Sequence, residues 1–222
     1  ELAPVHNHGH ALALRACRKI LPDVPQVVVF DTAFHQTIPE KAYMYGFPYE
    51  DYEKLHVRKY GFHGTSHRFV TAKLAQVLGK DLKDLKIVSC HLGNGSSITA
   101  VQDGKSIDTT MGFTPLDGVL MGTRCGAVDP SAVTYVAAKH GFTPEEMDTY
   151  MNKKSGLYGI SGGHSDFREI TTGAEQGDPR ATLAKDMLVY DIKKDIGAYA
   201  AIMNGLDAVI FTGGIGENAP NC

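Results

Sequence analysis

Several things are missing from this sequence, and each absence removes a class of protein. There is no excess of basic charge: 22 Lys and Arg stand against 25 Asp and Glu, a net charge of -3. A nucleic-acid-binding face would need clustered cations. No apolar run approaches the roughly 20 residues of a membrane helix. The four cysteines, Cys17, Cys90, Cys125 and Cys222, are scattered and form no CxxC pair. That indicates neither a zinc site nor a disulfide framework, and a reducing, cytoplasmic setting is expected. The chain has no GxxxxGK[ST] phosphate loop and no GxGxxG dinucleotide spacing. No Ser-His-Asp or Cys-His arrangement offers a persuasive nucleophile. Internal repeats and low-complexity linkers are also lacking. What is present is an ordinary globular composition, 43% hydrophobic and 21% charged over 222 residues. That length suits one large domain or parts of two.

The pattern along the chain is mixed α/β. Residues 11–20, ALALRACRKI, have helical composition. Val27 to Phe30 read as a buried strand ending in Asp31. Residues 38–67 are rich in aromatics, Pro and Gly and are expected to be irregular. Ser66 to Leu78 is a predicted helix that Gly79 can terminate. Three strands are predicted next, Lys86–Leu92, Ser96–Gln102 and Lys105–Thr110, with Asp103-Gly104 a strong hairpin signal between the last two. Residues 129–140 and 144–153 read as helices, each with a proline near its first turn. SGLYGISGGHSDFREI is a glycine-rich loop running into a short helix. Asp178 to Met203 is a long helical segment, and LDAVIFTGGIGEN is strand, glycine turn and helix start.

Chemistry gathers at a few of these junctions. In CHLGNGSS the turn Gly93-Asn94-Gly95 follows His91 at a strand end. Glycines let backbone N–H groups approach an anion, and Asn94, Ser96 and Ser97 add possible donors. A plain hairpin turn of type I′ is the alternative. FTGGIGEN carries a second glycine turn between strand and helix, where phosphate can bind. Asp31 stands at a strand end, where α/β sites collect. In KYGFHGTSH, two glycines bracket Phe62-His63. Arg124 lies between Gly122 and Gly126, and its guanidinium fork matches phosphate oxygens. His6, His8 and His10 would share a face of an extended segment, but no local carboxylate or cysteine completes a metal set. Two histidines, an arginine, an aspartate and two anion cradles together suit phosphoryl transfer, which relies on positioning and charge neutralisation.

At these residues the sequence resembles the acetate kinase family. The blocks VVVFDTAFHQTIP, YGFHGTSH, CHLGNGSS, MGFTPLDGVLMGTRCG, SDFRE and FTGGIGEN occur in the family's order across nearly the whole chain. The resemblance implies a ribonuclease-H-like α/β fold of the actin-like ATPase superfamily. It implies reversible phosphoryl transfer from ATP to acetate, with Mg2+, in a cytoplasmic homodimer that binds neither nucleic acid nor membrane. It also implies roles for particular residues. Asp31, His63 and Arg124 would be catalytic. His91, Leu92, Gly93, Asn94 and Gly95 would cradle the ATP phosphates. Gly214, Ile215, Gly216, Glu217 and Asn218 would form the adenosine-side loop, and Asp166, Phe167 and Arg168 would meet base and ribose. Val5, His6, Phe62 and Pro115 would line the acetate pocket.

The resemblance has departures. The family's first strand, with its Asn, Ser and Lys, is not found before Glu1, nor is its substrate-binding arginine. The glutamate associated with magnesium is not found before Cys222. The expectation is therefore a chain truncated at both ends, with no metal ligand in the sequence and little activity alone. Residues 1–33 would be a remnant of an N-terminal domain and residues 34–222 most of a C-terminal nucleotide-binding domain. Ala127 stands where the family usually has an acidic residue. HNHGH also lacks the usual proline after its asparagine. A nucleotide-binding module that signals by cleft closure is the rival reading. It would share the glycine turns but would not need Asp31, His63 and Arg124 together.

Overall fold

Strand β1 (Lys86–Leu92) is buried along almost its whole length: Ile87, Val88, Ser89 and Cys90 are fully inaccessible. A strand covered on both faces belongs at the centre of a layered α/β structure, and in the computed structural model β1 occupies that place. The structure describes residues 4–219. Strands β2 (Ser96–Gln102), β3 (Lys105–Thr109) and β4 (Ala208–Thr212) complete a sheet of order β3-β2-β1-β4. The β1–β2 and β2–β3 pairs are antiparallel; β1 and β4 are parallel. The hairpin between β2 and β3 turns through Asp103 and Gly104, at φ 53° and 73°, as a type I′ turn requires.

Ten helices accompany the sheet among the described residues. They are α1 (Pro4–Ile20), α2 (Glu40–Tyr43), α3 (Tyr49–Leu55), α4 (Gly64–Leu78), α5 (Pro130–His140), α6 (Pro144–Lys153), α7 (Gly156–Ser161), α8 (Phe167–Glu175), α9 (Pro179–Ile202) and α10 (Gly213–Asn218). Alternation along β1 assigns its faces. Val88, Cys90 and Leu92 pack with Leu188, Ile192, Tyr199 and Met203 of α9 and its end, and with Phe167 and Ile170 of α8. Ile87 faces the other way with Ala75 of α4, Leu85 and Val101. Ser89 and His91 share that second face and bond to side chains of α4.

Local chemistry fixes the helix ends as the sequence suggests. Asp129, Asp166 and Asp178 accept backbone N–H bonds as N-caps. Thr143 and Glu146 form a reciprocal capping box. Pro130, Pro144 and Pro179 occupy first-turn positions, where a missing N–H is harmless. Gly79 closes α4 in the left-handed conformation.

Three expectations fail. Val27–Phe30 is not a strand: these residues form no regular element and are exposed, from 49% to 83%, with no sheet neighbour among the described residues. Apolar β-branched residues signal a strand only where a partner edge is within reach, and this segment lies off the sheet. Residues 38–67 are less irregular than composition implies, holding α2, α3 and the head of α4. HNHGH is helical, so the extended segment that would align its histidines on one face does not form. No group of three or more potential metal ligands occurs among the described residues.

On α9, burial pushes the Asp195 carboxyl up to about 6, with the negative charges of Asp191 and Asp108 adding to it and Lys194 and Lys59 opposing. The folded state therefore holds a proton that the unfolded state has lost between about pH 4 and 6. Stability contributed by this group is present below that window and lost as pH rises through it. Asp195→Asn should raise stability at pH 7.5 by about 1 kcal/mol, discounted for partial solvent screening, and by nothing at pH 4. Urea unfolding at the two pH values checks this; equal gains at both would contradict it.

Candidate active site

The site begins at the head of α4. His63 precedes that helix at φ 56° and ψ 23°, a left-handed conformation unusual for a residue with a side chain. Asp31 holds it there. The backbone N–H of His63 donates to Asp31 Oδ2 at 2.7 Å, and the N–H of Gly64 donates to the Asp31 carbonyl at 2.8 Å. Gly64 cannot be anything larger, because an added Cβ would lie 2.4 Å from that carbonyl oxygen. Thus Asp31 sits beside His63 although its strand does not form.

The ring of His63 stacks on His91, with centroids 4.2 Å apart. Its Nδ1 lies 2.9 Å from Ser97 Oγ. The turn Gly93-Asn94-Gly95, between β1 and β2, lies at the centre of the remaining contacts. A Cβ at Gly95 would meet Arg124 Nη1 at 3.2 Å and His63 Nε2 at 3.4 Å. A Cβ at Gly122 would meet Asn94 Oδ1 and the Ser165 carbonyl, both at 3.2 Å. Gly93 approaches the Gly214 N–H, and Gly213, at φ 81°, is pressed against the Leu92 backbone. Three loops and the first turn of a helix therefore meet at one hairpin tip: 61–64, 121–126, the segment entering α8, and residues 213–216 of α10, which are helical where the sequence suggests a glycine turn. The fold brings together Asp31, His63, His91, Gly93, Asn94, Gly95, Arg124 and Gly214 and sets Asp166 next in line.

Arg124 is half-buried. Its Nη1 donates to the Pro115 carbonyl at 3.2 Å and approaches Met121 Sδ, and it has no carboxylate partner among the described residues. Burial lowers the pKa of its guanidinium from the ordinary value. Ala127, exposed nearby in the chain, supplies no counter-charge. Phe62 packs in a buried cluster with Met111 and Met121, so an apolar wall adjoins the guanidinium. Asp166 and Arg168 pair with each other at the surface, and that bond brings the Asp166 carboxyl down to about 2. Phe167 lies in the core. Glu217 accepts from the Thr212 hydroxyl, and Asn218 donates to the Gly214 carbonyl. Val5 and His6 lie on the first turn of α1, outside the residues whose side chains are described.

Two readings of the turn need correction. Ser96 and Ser97 do not face an anion. The Ser96 hydroxyl turns back to the Gly93 carbonyl, and Ser97 is fully buried between His63 and His67. Both follow from the tight three-residue connection, which puts Ser96 at the first pair of the ladder and Ser97 beneath it. Nor is the turn type I′, since none of residues 93–95 has positive φ. Three further residues at the site, Ser66, His67 and Ser89, carry no functional signal of their own in the sequence. The HGTSH spacing offered a signal, since it puts His63 and His67 one helical turn apart.

With this geometry in place, comparison with known proteins is decisive. The sequence profile of the acetokinase family matches residues 1–222. The chain belongs to the acetokinase family. It is 57% identical over 219 residues to Acetate kinase 2 of Clostridium perfringens, covering 99% of this chain and 55% of that protein. It is 59% identical to the acetate kinase of Carboxydothermus hydrogenoformans, with the same coverage. Among solved structures it resembles a propionate kinase from Francisella tularensis, with a TM-score of 0.95, 50% identity, and coverage of 99% of this chain and 56% of that one. The acetate kinase of Porphyromonas gingivalis superposes with a TM-score of 0.90 at 49% identity, covering 92% of this chain and 51% of that one. The chain thus spans about half the length of the curated relatives it matches. The mixed sheet is that of the actin-like ATPase fold to which these acetokinase structures belong.

Burial favours the neutral form of four histidines: His63, His67 and His91 around the turn, and His35, whose ring nitrogens lie against Ser106 Oγ and the Phe62 carbonyl. Burial lowers the pKa of His35, His67 and His91, and takes His63 down to about 4, where the His91 and Arg124 charges add to the effect. Their folded pKa values lie below the unfolded value near 6.5, so the unfolded state binds more protons at lower pH. Their contribution is intact above about pH 6.5 and is lost as pH falls toward 4. Each group so buried can remove up to about 1.4 kcal/mol per pH unit. Unfolding free energy should therefore drop by at least about 1 kcal/mol between pH 7.5 and 5.5. A flat profile in urea titrations would contradict the buried, neutral assignment.

Proposed function

We propose that the protein transfers a phosphoryl group between ATP and acetate, as an acetate kinase, and that this chain carries most of its nucleotide-binding domain. One observation carries the proposal. Arg124 Nη1 and His63 Nε2 flank the same point beside Gly95, and Arg124 has no carboxylate partner among the described residues. A cation and a ring nitrogen so placed suit an anion in transfer, where stabilising developing charge is the main catalytic task.

In this reading the ATP phosphates follow the turn of Gly93, Asn94 and Gly95, and His91 and Leu92 support it. The adenosine lies toward Gly214, Ile215, Gly216, Glu217 and Asn218 and the Asp166-Phe167-Arg168 segment. Acetate enters beside Phe62 and Pro115, with Val5 and His6 assigned to the same pocket. Its carboxylate is already ionised at neutral pH, since carboxyl pKa values are near 4. No base is needed to activate it. A carboxylate oxygen attacks the γ-phosphorus, the bond to the ADP oxygen breaks, and acetyl phosphate and ADP result. Arg124 offsets the repulsion between the two anions, while His63 donates a hydrogen bond without adding charge. Asp31 orients this machinery by holding His63. Mg2+, whose ligands are expected outside these residues, would supply charge neutralisation of the phosphates, and Asp31 would help to orient it.

The domain assignment belongs to the same proposal. Almost every described side chain from residue 8 to 31 is exposed, and α1 does not join the core. This supports residues 1–33 as part of a separate N-terminal domain and residues 34–222 as the nucleotide-binding one. A homodimer and a cytoplasmic setting complete the reading. No helix among the described residues is long and apolar enough to cross a membrane.

The test uses this chain alone and a chimaera whose flanking segments come from the Clostridium perfringens relative. Each is incubated with ATP, Mg2+ and acetate, and acetyl phosphate is trapped with hydroxylamine. Product is expected from the chimaera and little from the chain alone. In the chimaera, Arg124→Ala should lower kcat by about a hundredfold or more while leaving the melting temperature nearly unchanged. An unchanged kcat would remove Arg124 from the mechanism. Propionate should also react, because one methylene changes selectivity by only about 1–3 kcal/mol. No trapped product with either acid would reject the kinase reading.

A further inference from the structure

His63 is joined to a line of buried hydrogen bonds that the reaction itself does not call for. Ser89 Oγ lies 2.9 Å from His67 Nδ1, His67 Nε2 lies 2.8 Å from Ser97 Oγ, and Ser97 Oγ lies 2.9 Å from His63 Nδ1. Ser89, His67 and Ser97 are completely inaccessible to solvent. They come together because Ser89 of β1 and Ser97 of β2 share the sheet face under α4, where His67 sits one turn after His63.

Each neutral imidazole and each hydroxyl has one proton to give, so a line in which Ser97 also donates can run in only two directions; with both rings donating to Ser97, the buried Ser97 proton would have no acceptor among the described residues. If it runs toward His63, the Ser89 hydroxyl donates to His67 Nδ1. His67 Nε2–H then donates to Ser97, and the Ser97 hydroxyl donates to His63 Nδ1. Every buried proton has an acceptor. If it runs the other way, His67 Nδ1–H donates to Ser89, and the Ser89 hydroxyl is left with a proton and nowhere to place it. Among the described residues that hydroxyl has no second partner. A buried donor without an acceptor is the more expensive arrangement. Burial also keeps His67 from charging and donating at both nitrogens.

We infer that Ser89, His67 and Ser97 are positioning residues: a polarised hydrogen-bond chain that fixes His63 with its proton on Nε2. The geometry of the chain stands by itself; its use rests on the kinase reading above. Nε2, with the adjoining Cε1, lies at the point beside Gly95 shared with Arg124, and it is the ring's one polar atom there. A neutral ring of the opposite tautomer would present a lone pair to a phosphoryl oxygen and repel it. The chain thus makes a neutral histidine a dependable donor, with no need of a second positive charge in a half-buried cleft.

Tautomers can be read without substrate. With the histidines labelled by 15N, long-range 1H–15N correlation spectra of the 222-residue chain at pH 7.5 report which nitrogen of each ring is protonated. His63→Gln identifies the ring. A pyrrole-type shift at Nε2 and a pyridine-type shift at Nδ1 are expected for His63. Protonation at Nδ1, or an even mixture, overturns the inference. Ser97→Ala removes the hydroxyl that donates to His63 Nδ1 and should let His63 become a mixture. A His63 tautomer unchanged in Ser97→Ala overturns the chain's control of the ring, and if that variant does not fold the unsubstituted chain still decides. In the active chimaera, Ser97→Ala should lower kcat about tenfold with KM for ATP nearly constant. An unchanged kcat would deny the chain its part in the reaction. The spectrum contains no nucleotide, so it stands or falls separately from the kinase assay.

Discussion

The bond between Asp31 and the backbone of His63 is the constraint from which the rest of the site follows. A residue with a side chain adopts the left-handed conformation only uncommonly, and strain of this kind is of order 1–3 kcal/mol. Asp31 supports it here twice, through its carboxylate to His63 and through its carbonyl to Gly64. With His63 so turned, α4 starts in the direction that brings Ser66 and His67 onto β1 and β2. The His63 ring lies against His91, and its Nε2 reaches the Gly95 turn. Asp31 is thereby a structural clamp as well as the carboxylate nearest the proposed chemistry.

Charge explains the composition of the cleft. Two imidazolium rings about 4 Å apart would repel by about 4 kcal/mol at an effective dielectric of 20. The stacked pair of His63 and His91 is therefore compatible with at most one positive charge, and burial keeps both rings toward neutrality. Arg124 remains as the permanent cation. It is held by a carbonyl and a thioether rather than by a carboxylate, and so its charge stays available to an incoming anion. Hydrogen-bond donors that carry no charge complete the set. A site built this way combines one unpaired cation with neutral donors, which suits the polyanion of the proposed reaction.

Much of the domain could be read from the sequence. The three strands of the meander, the Asp103-Gly104 hairpin, α5, α6 and α9 lie within a residue or two of their expected limits, because their signals are local: alternation, caps and turn residues. Val27–Phe30 was misread because apolar β-branched residues state only a preference for a sheet, and pairing is decided by what lies alongside. The candidate site was legible in its glycine turns and in His63 and Arg124, whose neighbours in the sequence are unusual. It was not legible in Ser96 and Ser97, which look like donors beside a phosphate turn but face inward. Their direction depends on ladder register, which begins at the Leu92–Ser96 pair. His67 and Ser89 were hidden for the same reason, since their meeting depends on how α4 crosses the sheet.

The account rests on His63 and Arg124 converging on a phosphoryl group beside Gly95. The most direct measurement is a crystal structure of the chimaera with ADP, Mg2+, acetate and aluminium fluoride, which mimics the phosphoryl group in flight. The account predicts aluminium fluoride beside Gly95, with His63 Nε2 and an Arg124 nitrogen both within hydrogen-bond distance of its fluorines. Aluminium fluoride bound away from that turn, or bound there with either side chain directed elsewhere, would contradict it.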